Sequence, residues 1–182
     1  MKDGLRWSLI IYQVLLTEEP LLIREKVSDM ALFCPRYAQI TSLQKMNFWG
    51  QLISAIAKHE SDWIPTRRFV ETTMTKPDQV TGAQVVSEGL LQLSYQDMLN
   101  HPGVCHFDWE KDQLLSPTDP KKTILDPFKN LQCGIRILAR QIRSKKAIAI
   151  PNGAYWSVLK TDSFHQKILQ IAAITKELSF CR

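Results

Sequence analysis

The residue whose position best suits chemistry is Glu60. It follows Ile56 by four residues, Ile53 by seven and Trp49 by eleven. A helix through this segment therefore carries its carboxyl on the apolar face. Neither the preceding turn (Ile56, Ala57) nor the following one (Trp63, Ile64) offers a lysine or arginine. A carboxyl held out of water without a cation has a raised pKa, and the negative end of the helix dipole pushes the same way. Such a group keeps its proton near neutrality and can give it to a leaving oxygen, which is general acid catalysis. Lys58 and His59 leave the helix on other sides. The plainer reading is that the helix ends near His59 and Glu60 turns into solvent.

Other reactive side chains are less telling. Cys34, Cys105, Cys133 and Cys181 are too widely spaced for a zinc ribbon or a thioredoxin-like pair. Their even number suits two disulfides in an exported protein or four buried thiols in an internal one, with the connectivity open. His101, Cys105, His106 and Cys133 match no familiar metal-site spacing, so neither a metal nor a cofactor is expected.

The elements that must position Glu60 are mostly helical. Leu5 to Leu16 and Pro20 to Phe33 read as helices, the second ending before Cys34-Pro35. Thr41 and Gln44 form a capping box that opens a helix from about Ser42 to His59. Phe69 to Met74 and Ala83 to Val86 are rich in strand formers, and Lys76-Pro77-Asp78 and Thr81-Gly82 supply turns between them. Helices are expected again near Leu90 and after Ser94, followed by an irregular stretch from His101 to Lys122. Asp126-Pro127 pairs a capping side chain with proline at the first helical position. Phe128, Leu131, Ile135, Leu138 and Ile142 then form one stripe. Pro151-Asn152-Gly153 is a turn, Ala154 to Leu159 a short helix, and Phe164 to Leu178 the last one. Many helices with one hairpin predict an α+β fold, mainly α.

Composition sets the outer limits. The 182 residues, 45% hydrophobic and 23% charged with 7 Gly and 9 Pro, suit one globular domain and exclude collagen, low-complexity disorder and a disulfide-dense miniprotein. No run approaches the roughly 18 consecutive apolar residues of a membrane span. Leu5 to Leu16 is broken by Arg6, Ser8 and Gln13 and lacks the small-residue cleavage site of an export signal. The net charge of +5 favours anionic partners. Its densest basic cluster, Arg136, Arg140, Arg143, Lys145 and Lys146, sits at the end of a predicted helix, where cations offset the dipole, and no nucleic-acid module accompanies it. Nucleic acid is therefore not an expected partner.

Four segments resemble one superfamily. Ile53-Ser54-Ala55-Ile56-Ala57-Lys58-His59-Glu60-Ser61 is similar to the catalytic Glu-Ser helix of soluble lytic transglycosylases and goose-type lysozymes. Ser87-Glu88-Gly89-Leu90-Leu91-Gln92-Leu93 resembles their small-x-Gly-Leu-Met-Gln-Leu motif. Leu125-Asp126-Pro127-Phe128-Lys129-Asn130-Leu131 with Gly134 resembles their Asp-Pro-x-x-Asn-Leu-x-x-Gly helix, and Gly153-Ala154-Tyr155 the start of their Ala-Tyr-Asn-Ala-Gly segment. The order and spacing match over roughly residues 43 to 160. The resemblance implies a lysozyme-like domain spanning 1–182, with N-terminal helices in 1–42, the catalytic core in 43–160 and a C-terminal helix in 161–182. It also implies a muramidase that cuts the β-1,4 bond between N-acetylmuramic acid and N-acetylglucosamine in peptidoglycan.

By the same resemblance Glu60 is the catalytic acid. Gly89 allows close packing beside the cleft, and Gln92 faces the sugars. Tyr155 reaches toward Glu60 or the scissile sugar, or is a core aromatic. Ser61 bonds the Glu60 carboxyl or caps the helix end. Asp126, Asn130 and Gly134 hold the fold. Trp63 or Trp156 could stack on sugar rings. The sequence departs from the pattern where Trp156 replaces the asparagine after Tyr155, which suggests altered tolerance for deacetylated glycan. It departs again where Ser94 follows Leu93 in place of the goose-type aspartate.

A second carboxylate, which an inverting hydrolase needs and a lytic transglycosylase does not, would come from Glu71, Asp62, Asp78, Glu88 or Asp97. Glu71 is foremost because it lies on the hairpin expected to wall the cleft; otherwise it is a strand residue balanced by Arg67 or Arg68. Hydrolysis and transglycosylation both remain open. The alternative to an enzyme is a wall-glycan-binding protein of the same fold. Peptidoglycan strands are the expected partner, a monomer the expected state, and the periplasm or the exterior the expected location, with the export signal absent from this chain.

Overall fold

A computed structural model describes residues 2–182. It contains helices α1 (Lys2–Thr17), α2 (Met30–Phe33), α3 (Ser42–Ser61), α4 (Asp97–Asn100), α5 (Trp109–Asp112), α6 (Pro127–Lys145) and α7 (Ile168–Lys176). Strands β1 (Arg68–Val70) and β2 (Val86–Glu88) form one antiparallel ribbon. The fold is thus α+β and mainly α. The chain divides into two compact units, one of residues 2–10 and 60–134, the other of Ile11–His59 and Ile135–Arg182. The boundaries fall inside α1, inside α3 between His59 and Glu60, and inside α6 after Gly134.

The unit of Ile11–His59 and Ile135–Arg182 is built on the apolar face of α3. Phe48, Trp49, Leu52, Ile53 and Ile56 are buried there. The predicted capping box forms: the Thr41 amide donates to Gln44 Oε1 at 2.9 Å and the Gln44 amide to Thr41 Oγ1 at 3.3 Å. Trp49 Nε1 donates to the Tyr37 hydroxyl at 2.8 Å, which in turn donates to the Ile23 carbonyl at 3.1 Å. The aromatic core thereby satisfies its own polar atoms. Cys34 and Cys181 form a disulfide closing a separation of 147 residues.

Sequence patterning overestimates helix in this unit. Pro20 to Phe33 does not form one helix; it breaks into a 3₁₀ turn at Leu22–Arg24 and the four-residue α2. The Ser28 amide is drawn to the Lys146 carbonyl, and the Asp29 carboxylate accepts from the amides of Ile148 and Ala149. These bonds to distant backbone displace the local helical ones. Ala154 to Leu159 likewise reduces to a 3₁₀ turn at Ser157–Leu159, and the last helix starts at Ile168, leaving Phe164 fully exposed.

The unit of residues 2–10 and 60–134 carries the hairpin. Its register pairs Arg68 with Glu88, Phe69 with Ser87 and Val70 with Val86, so the strands are Arg68–Val70 and Val86–Glu88 in place of the expected Phe69 to Met74 and Ala83 to Val86. The segment Gly89–Leu93 is not helical. Gly89 (φ +83°) and Gln92 (φ +48°) both take left-handed backbone, and the chain doubles back so that Glu88 bridges Leu93. Asn130 explains the bend. Its Oδ1 accepts from the Leu91 amide at 2.8 Å, while Nδ2 donates to the carbonyls of Glu88 (3.1 Å) and Ile124 (2.9 Å). A Cβ at Gly89 would lie 2.3 Å from Asn130 Nδ2, so only glycine fits. Asp126 caps α6 through the Lys129 amide, and Gly134 makes room for Leu91. Cys105 and Cys133 form the second disulfide, which removes both from any metal site.

Candidate active site

Glu60 sits in the last turn of α3. The helix stops one residue later because Asp62 (φ +54°) and Trp63 (φ +57°) both adopt left-handed backbone. Such a conformation is uncommon for a bulky residue, and strain of this kind concentrates at functional sites. The Ile64 amide closes the turn on the Ser61 carbonyl, and Arg67 Nε donates to the same oxygen at 3.3 Å.

Glu60 Oε1 is buried and has no hydrogen-bond partner. Burial, and after it the negative charge of Glu71, push the Glu60 carboxyl up to about 7. A carboxyl of this kind is largely protonated below neutrality and holds its proton without a structural acceptor. In the other unit His59 Nε2 is also buried without a partner, and burial, then Lys58 and Lys167, lower its pKa.

The hairpin positions Glu71, one residue beyond β1. Its amide donates to the Val85 carbonyl at 2.9 Å, and its carbonyl accepts from Gln84 Nε2 at 2.7 Å. Its Oε1 accepts from the Ser87 hydroxyl. Among the described residues no cation lies within ion-pair distance of Glu71 or Glu60. The expected balancing of Glu71 by Arg67 or Arg68 does not occur: Arg67 turns to the Ser61 carbonyl and Arg68 to Glu88.

The other candidates for a second carboxylate hold structure. Glu88 is 1% exposed, paired with Arg68 and held by Lys122 at 2.8 and 2.9 Å. Asp78 accepts from the amides of Val80, Thr81 and Gln96. Asp97 accepts from the amide and hydroxyl of Ser94. Asp62 is exposed on the strained turn.

Several residues expected at the sugars are engaged within the protein. The Ser61 hydroxyl donates to the Leu90 carbonyl at 2.9 Å and is buried, so it braces the turn instead of bonding Glu60. Gln92 is 7% exposed, with Nε2 donating to the carbonyls of Arg67 (3.1 Å) and Gly89 (2.8 Å), which ties its loop to the chain before β1. Trp156 is 3% exposed in the other unit, packed edge-on against half-buried Tyr155, and offers no open face. Trp63, by contrast, is 41% exposed. An open hollow of about 670 Å³ in the hairpin unit is lined by His106, Phe107, Trp109 and Lys129 among others, and by none of the expected site residues.

Two features of the site have no sequence-level signature. The left-handed pair Asp62–Trp63 follows no glycine or asparagine, and the Ser87–Glu71 bond depends on strand register.

No protein-family model matches the chain, and no curated protein matches it. Three solved structures do. One is wild-type Bd0314 DslA, a Bdellovibrio protein, at 30% identity and a TM-score of 0.80, covering 100% of this chain and 94% of that one. The others are variants of DslA in which a glutamate is replaced by glutamine. They match at 30% identity with TM-scores of 0.77 and 0.80, covering 99% and 100% of this chain and 93% and 94% of theirs. The two replaced glutamates lie eleven positions apart in that chain.

Proposed function

This chain belongs to the same family as DslA, and from that premise we propose that it is a peptidoglycan-cleaving muramidase of lysozyme-like type that works by hydrolysis. The observation that carries the reading is the pair Glu60–Glu71. One carboxyl is buried without a partner and pushed up to about 7, and a second lies close enough for its charge to contribute. Pairs of carboxyls in unlike surroundings are how glycosidases divide acid from base. Glu60 and Glu71 are themselves eleven residues apart, the separation of the two glutamates replaced in DslA.

In this mechanism Glu60 gives its proton to the glycosidic oxygen as the bond from that oxygen to the anomeric carbon breaks. Glu71 takes a proton from a water that attacks the same carbon from the opposite face. The products are a new reducing end and a free hydroxyl on the leaving sugar, and proton exchange with solvent restores both carboxyls. Exposed Trp63, on the turn that follows Glu60, offers a stacking surface for a sugar ring.

Glu71, a carboxylate without a lysine or arginine partner, also favours a substrate with a cation. The ammonium of deacetylated glucosamine meets that demand, and a neutral acetamide does not. The buried Trp156 removes the earlier ground for expecting this preference; the Glu71 carboxylate without a cation replaces it. A wall substrate places the protein in the periplasm or outside the cell, where two disulfides are stable.

Mass spectrometry of the sugars released from purified peptidoglycan tests the reading. Reducing ends support it; anhydro ends mean a one-carboxylate transglycosylase, and binding without release means a glycan-binding protein. Walls treated with a deacetylase and untreated walls, digested in parallel, test the preference. Equal rates would remove it.

A further inference from the structure

We propose that Ser87 is a positioning residue for Glu71, fixing which carboxylate oxygen faces the attacking water. The inference rests on the hydrolytic reading above, and on geometry that the reading does not use.

Ser87 stands opposite Phe69 in the hairpin, and Glu71 follows Phe69 by two residues. Side chains two apart along an extended strand share a face, so Ser87 and Glu71 are diagonal neighbours across the ribbon, within reach of a long side chain. The Ser87 hydroxyl has one proton, and it goes to Glu71 Oε1. Oε1 is thereby committed, and Oε2 is left to take the proton of water.

The backbone of Glu71 is held as firmly. Its amide is tied to Val85, and its carbonyl is tied to Gln84 Nε2, which also donates to the Met74 carbonyl at 2.9 Å. Gln84 thus clamps the turn that follows Glu71, and Ser87 clamps the side chain. A glutamate with three rotatable side-chain bonds otherwise samples many directions, and a base off line by about 1 Å can cost up to a hundredfold in rate. Alanine at position 87 keeps the strand and removes only the clamp. Threonine keeps the hydroxyl and suits a strand.

The test compares S87A and S87T with the parent on purified peptidoglycan, alongside thermal unfolding and the NMR signal of the ¹³C-labelled Glu71 carboxyl. The expected result for S87A is a loss of about tenfold in kcat with KM and Tm little changed, and a displaced Glu71 signal. S87T should restore both kcat and the signal. A parental kcat in S87A, or an unmoved Glu71 signal, would overturn the proposal. A loss of kcat in S87A accompanied by a matching loss of Tm would overturn it too, by showing a structural role. A parent that releases anhydro ends or no sugar refutes the hydrolytic reading instead, and the Glu71 signal still reports on the clamp.

Discussion

Glu60 and Glu88 are both withdrawn from water in the same unit, and they have opposite surroundings. Glu88 has an arginine and a lysine, and its lysine also lies over the Tyr95 ring, whose hydroxyl donates to Asp112 at 2.8 Å. Glu60 has no cation, an orphaned oxygen and a like charge nearby. Burial is common to both. Partners decide whether a hidden carboxyl holds the fold together or holds a proton.

Removing the carboxyl on the reactive side should have the largest effect. E60Q keeps the shape and abolishes the transferable proton, so its rate of reducing-end release should fall by about a thousandfold or more, equivalent to about 4 kcal/mol, while glycan binding in a pull-down persists. An active E60Q would break the comparison outright.

Stripping a partner on the structural side tests the other half. K122M leaves Glu88 with only the half-exposed Arg68 and should destabilise the protein by about 3 kcal/mol in chemical denaturation. The pH dependence of the remaining activity should not move, because Glu88 takes no part in the chemistry.

The coupling between the two acids can be read directly. Glu71 raises the Glu60 carboxyl, so in E71Q the ¹³C titration of Glu60 should have its midpoint below about 7. In the parent, kcat/KM should fall as pH rises through about 7, as the acid loses its proton.

The last effect concerns the pH dependence of stability. The folded protein keeps a proton on Glu60 up to about 7, whereas the unfolded chain loses it near the ordinary 4.5. Between those values the folded state binds more protons, so this group makes stability fall as pH rises. E60Q removes that penalty. Its Tm should exceed the parent's at pH 8, by an amount that shrinks as pH drops toward 4.5.

The hairpin, α3 and α6 were legible because their signals are local. A capping box, an Asp-Pro start and a 3.6-residue apolar stripe act within a few residues. The segments misjudged as helix, Pro20–Phe33 and the stretch after Gly89, carry suitable residues too. There the Ser28 amide is drawn to the Lys146 carbonyl and the Leu91 amide to Asn130 Oδ1, both from distant parts of the chain. Local preference is worth tenths of a kcal/mol per residue, and each such buried bond about 1 kcal/mol, so the tertiary bonds prevail.

The amino-acid order alone determined that Glu60 would ride the apolar face of a helix with no cation in the adjacent turns, since both follow from spacing. Only the tertiary structure decided which of five acids remained beside it. Asp78, Glu88 and Asp97 are consumed by partners far away in the sequence or by a turn that folding creates. Asp62 leaves on a strained bend, and hairpin register delivers Ser87 to Glu71. Those choices depend on contacts between distant segments, which no local pattern encodes.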